Sequence, residues 1–76
     1  MTPAQCRAAR TLLKLEVRDL ADAANVSTST IVRLERGADL LARTINAVRA
    51  ALEAKGVEFA AAGGVKLGEK PRGKRK

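Results

Sequence analysis

Leu20-Ala21-Asp22-Ala23-Ala24-Asn25-Val26-Ser27-Thr28-Ser29-Thr30-Ile31-Val32-Arg33-Leu34-Glu35-Arg36-Gly37 is the stretch on which the fold turns. Over Val17 to Ala24, helical spacing puts Leu20, Ala21 and Ala24 inward and Arg18, Asp19 and Asp22 outward. Asn25 follows, a residue that tolerates the left-handed backbone with which many helices end. Ser27 suits the N-cap of a next helix and Gly37 its stop, with Ile31 and Leu34 as the buried stripe between them. Two short helices joined by a tight turn result. Ala21 is small where they approach, and Leu20, Val26, Ile31 and Leu34 lock the second onto the first.

Working outward, Thr2-Pro3-Ala4-Gln5 reads as a helix start, with Thr2 as cap, Pro3 at the first helical position and Gln5 completing a capping box. Cys6, Ala9, Leu12 and Leu13 carry that helix to about Lys14. Downstream, Ile45, Val48 and Leu52 mark a last helix closed by Lys55-Gly56, with either Asp39 or Thr44 as its cap. Residues 57–67 switch to a period of two. Pairing Val57 with Leu67, Glu58 with Lys66 and Phe59 with Val65 leaves Ala61-Ala62-Gly63 as the loop. That register puts four apolar side chains on one face and makes Glu58–Lys66 a cross-strand ion pair. A plain Ala-rich linker is the alternative. Residues 1–56 therefore form one domain, 57–67 a hairpin, and 68–76 a basic tail expected to be disordered because it has nothing to bury.

Composition removes whole classes of function. The chain has 76 residues, a size at which one core stabilises weakly and a partner subunit often helps. A single cysteine, Cys6, excludes an internal disulfide, and the absence of histidine excludes the usual zinc sets and the commonest general base. No metal or cofactor is expected, nor catalysis. With Phe59 the only aromatic residue, ring stacking on single-stranded bases has no platform. The net charge of +7 points to an anionic partner. Its distribution is uneven: the first 64 residues hold nine basic and seven acidic groups, whereas 65–76 hold six basic and one acidic. No stretch approaches the ~20 apolar residues of a membrane span. A lone thiol without a secretory signal fits the cytoplasm.

The quoted stretch resembles the XRE-like class of bacterial and phage helix-turn-helix domains that includes the lambda repressor and Cro, most specifically in its closing Ile31-x-x-Leu34-Glu35-Arg36-Gly37. The resemblance spans roughly residues 3–55 and implies an all-α lambda-repressor-like domain of four to five helices, here with a C-terminal β-hairpin. It also implies that the third helix enters the major groove of double-stranded DNA. Ser27, Thr28, Ser29, Val32, Arg33 and Arg36 are then the candidate contacts. Arg33 suits guanine O6 and N7, Val32 or the Thr28 methyl suits thymine, and Thr28 and Ser29 suit bases or phosphates. Arg36 is expected on a phosphate. Without DNA the same face would be an ordinary solvated surface.

Two departures stand out. Val17 occupies a position where the family usually has a phosphate-anchoring Gln, which moves that contact to Arg18 or removes it. Asn25 replaces the turn glycine, a mild change. The resemblance further implies an Arg10–Glu35 ion pair that neutralises Glu35 and fixes the third helix. Arg43 corresponds to an arginine near the DNA backbone and minor groove, or alternatively caps or pairs at the start of the last helix. The expectation is a sequence-specific regulator, a repressor before an activator, acting as a homodimer on a palindromic operator. Val57, Phe59, Val65 and Leu67 are its candidate dimer interface. The alternative is a protein-binding antitoxin or antiactivator that keeps the fold and meets a regulatory protein partner.

Overall fold

Capping chemistry divides the chain where its sequence suggests. The structure, a computed structural model, describes residues 1–60 and 63–68. Helix α1 (Pro3–Leu12) starts on a reciprocal cap: Gln5 N–H donates to Thr2 Oγ1 at 3.1 Å, and Thr2 N–H to Gln5 Oε1 at 2.8 Å. Helix α2 (Val17–Ala24) and helix α3 (Thr28–Glu35) follow, the latter capped by Ser27 Oγ, which accepts from Thr30 N–H at 3.2 Å. Helix α4 (Ala42–Ala54) completes a set of four among the described residues.

Left-handed residues turn the chain out of the first three helices. Asn25 lies at φ 59° and Gly37 at φ 87°, where glycine carries no Cβ penalty. α1 stops short of its expected end for the same reason. Lys14 takes φ 57°, its N–H bonds Thr11 O, and Leu15 N–H reaches back to Arg10 O. The start of α4 also corrects the sequence reading, since neither Asp39 nor Thr44 caps it. Leu41 holds the cap position without a side-chain bond.

The core gathers Cys6 and Ala9 from α1, Leu20, Ala21 and Ala24 from α2, Ile31 and Leu34 from α3, and Val48 and Leu52 from α4. Val57 closes it from the hairpin. Strands β1 (Val57–Phe59) and β2 (Val65–Leu67) pair antiparallel in the expected register, Val57 with Leu67, Glu58 with Lys66 and Phe59 with Val65. Gly63, at φ 92°, donates to Ala60 O, while Ala60 N–H donates to Gly64 O. The loop residues 61 and 62 and the tail from 69 onward lie outside the described residues.

β1 packs on α4 and β2 on α1, so the hairpin bridges the first and last helices. Gln5 fastens it: its buried amide Nε2 donates to both Ala60 O and Gly64 O at 3.2 Å. The four alternating apolar residues are covered unequally. Val57 is buried, Phe59 and Val65 are half-buried, and Leu67 remains 49% exposed.

Candidate nucleic-acid interface

Helix α3 has two chemically distinct faces. Ile31 and Leu34 are buried, and Thr28, Ser29, Val32 and Arg33, with Arg36 at the C-cap, are exposed together on the opposite side. Arg33 and Arg36 make no ion pair among the described residues, which leaves both guanidinium forks available. Ser27 stands apart from this set. Its Oγ accepts the Thr30 N–H and shares a 2.9 Å bond with Thr30 Oγ1, so one hydrogen-bonding valence remains for any external group.

Glu35 turns the other way. Its side chain is only 6% exposed and meets Arg10 in a fork: Nε to Oε2 at 2.8 Å and Nη2 to Oε1 at 3.1 Å. Arg10 Nη1 also donates to Leu15 O at 3.1 Å, so one guanidinium joins α1, α3 and the turn into α2. The bond to Glu35 raises the Arg10 pKa above its ordinary value. Arg7 adds a looser contact, 3.6 Å from Glu35 Oε1. The expected pair is present, and it removes the one negative charge of α3 from the exposed face.

Buried Cys6 lies beneath this pair, its Sγ 3.9 Å from Glu35 Oε2. Burial, then the Glu35 carboxylate, pushes the thiol pKa up to about 11. A thiol so placed stays protonated and unreactive near neutral pH.

The N-termini of α2 and α4 differ in charge. At α4, no side chain caps the helix, no acidic residue occupies the first turn, and the amides of Ala42 and Arg43 have no partner among the described residues. Such an end attracts an anion. Exposed Arg43 sits within that turn and neither caps nor pairs among the described residues. At α2, Glu16 and Asp19 flank the start, Glu16 N–H donates to Asp19 Oδ2 at 2.9 Å, and Val17 packs against the core. Arg18 is exposed beside them. An approaching phosphate therefore meets two carboxylates there.

The sequence reading missed the uncapped start of α4. Leu41, where Ser, Thr, Asp or Asn would be usual, was its signal. Of the hairpin residues, Val57 is enclosed by its own chain, Phe59 and Val65 are half-buried against the core, and Leu67 is exposed. The Arg49 guanidinium lies 5.3 Å from the Phe59 ring centroid and bonds Glu53 at 3.0 Å. Among the described residues, no helix is long and apolar enough to cross a membrane.

A family model described as helix-turn-helix matches residues 7–59, more than half of the chain. No curated protein matches it.

Proposed function

Because the chain belongs to the XRE-like helix-turn-helix family of DNA-binding regulatory domains, we propose that it is a sequence-specific transcriptional regulator acting as a homodimer on a palindromic operator. The observation that carries this reading is the exposed face of α3, cleared of negative charge by the Arg10–Glu35 fork. Arg33 makes the bidentate bond to guanine, Thr28 and Ser29 serve bases or phosphates, and Val32 meets a thymine methyl. Arg36, and Arg43 with the free amides of α4, hold phosphates on either side. Arg18 is the weakest member, since Glu16 and Asp19 oppose a phosphate beside it. Two copies joined through Phe59, Val65 and Leu67 set their α3 helices about one DNA turn (~34 Å) apart. Occupancy of promoter DNA in the cytoplasm then represses transcription without a cofactor.

Selection of bound sites from random double-stranded DNA tests the reading. A twofold-symmetric consensus bound far more tightly than random DNA is expected, and equal affinity for both would overturn it. The acidic start of α2 and the apolar Val17 favour one second reading, a protein-binding antitoxin or antiactivator module that keeps the fold. Under that reading the selection yields no consensus.

A further inference from the structure

On the outer side of α1, away from the core residues Cys6 and Ala9, lies an open cleft of about 910 Å³. Pro3, Ala4, Ala8 and Leu12 form its floor, and Val65 of β2 closes one side. Leu12 is 41% exposed although it is a large aliphatic residue. Arg7 and Lys14 stand on the rim, Arg7 with 64% of its side chain exposed. Glu35, the acidic residue that reaches the cleft, is already neutralised by Arg10.

We propose that this cleft takes an acidic amphipathic helix from a partner protein. Its apolar floor offers nothing to a sugar-phosphate backbone, whereas an aliphatic helix face would cover Leu12 and Ala8. α1 spans about 15 Å, so two to three turns of a partner helix match its length. Arg7 and Lys14 pair with carboxylates flanking that apolar face. A second copy is the poorer occupant, because a twofold contact would bring two Arg7 and two Lys14 side chains into one interface whose Glu35 is already paired with Arg10.

Lys14 adds an observation of its own. It is a side-chain-bearing residue in the left-handed region at a helix end, where glycine would be relaxed. The chain keeps an ammonium on the rim at a cost in stability. Binding and stability are therefore opposed at this one residue. This inference rests on no step of the DNA reading, but Val65 also belongs to the proposed dimer surface, so a partner helix and a second copy compete for that wall.

The test uses the full chain and a synthetic helical peptide of about 14 residues, roughly four turns. One face carries Leu and a single Trp, flanked by Glu. The protein contains neither Trp nor Tyr, so peptide emission reports binding directly. Saturable binding is expected, weakened by salt, absent for a peptide with Lys in place of Glu, and lost in Leu12→Asp. Lys14→Gly should raise the melting temperature by about 4 °C while weakening peptide binding about threefold. Arg7→Glu should weaken it by about tenfold without unfolding the protein. Absence of saturable binding overturns the proposal, as does equal binding of the basic peptide or a Lys14→Gly protein that binds as well as the parent. If Leu12→Asp instead converts a sedimenting dimer to monomer, the cleft belongs to a second copy and the proposal also falls.

Discussion

Arg33 is the side chain on the exposed α3 face best suited to two parallel hydrogen bonds with one base edge. Arg33→Ala should therefore cost about 1–3 kcal/mol at the selected site and much less on random DNA. Equal losses on both would reduce Arg33 to a phosphate contact. Glu35 tests the support behind it. Removing a nearly buried carboxylate strands the Arg10 guanidinium, so Glu35→Ala should destabilise the fold by about 3 kcal/mol. DNA affinity should fall too, although a negative charge has gone, and tighter binding by a fully stable variant would retire this role. Cys6 supplies a pH signature. Its folded pKa of about 11 exceeds the reference value of 9.0, so the unfolded chain releases the thiol proton first as pH rises. The associated stability is intact below pH 9.0 and declines towards about 11, by about 1.4 kcal/mol per pH unit. Denaturant midpoints across that window should fall more steeply for the parent than for Cys6→Ala; parallel profiles would contradict the assignment.

Among the elements, the hairpin joins the fold most directly to the proposed dimer. Phe59 and Leu67 are not equivalent probes. Phe59 is half-buried and lies against Arg49, so Phe59→Asp disturbs its own chain as well as any interface. Leu67 is half open, and Leu67→Asp should yield a folded monomer by sedimentation at micromolar concentration, with weakened operator binding. A variant that remains dimeric would put the interface elsewhere. This hairpin was legible in the sequence because period two, a Gly at the loop's end and the Glu58–Lys66 pairing all select one register. α2 and α3 were legible for similar reasons, since Asn25, Ser27 and Gly37 each favour the local backbone they adopt. The start of α4 was not, because Leu41 has no side-chain oxygen to announce a cap. Lys14 escaped as well, having no intrinsic preference for positive φ. The Arg10–Glu35 fork became visible through family resemblance, while the second role of Gln5 depends on carbonyls far along the chain and leaves no local pattern.

Across the whole molecule, position matters more than total charge. The first 64 residues are nearly balanced, yet Arg33 and Arg36 are exposed at α3 and Arg43 is exposed in the first turn of α4, while Glu35 is withdrawn and Glu16 and Asp19 collect at α2. Residues 68–76 add five basic groups and one acidic. Deleting them should flatten the log-affinity against log-salt slope by about 0.9 for each phosphate that the tail neutralises, about one to three in all. Specific and random affinities should fall together; a collapse in their ratio would mean that the tail reads sequence. The Gln5 clamp has a consequence for how the molecule is made. Its bonds close loops of 55 and 59 residues, against 25 for Arg10–Glu35, an added entropic cost of about 0.7 kcal/mol for closure. The α2–α3 and α2–α4 contacts are more local and can form first. During synthesis the amide of Gln5 must wait for residues 60 and 64 to leave the ribosome. The clamp that ties the first helix to the hairpin is thus among the last links to close, after the shorter Arg10–Glu35 loop has already joined α1 to α3.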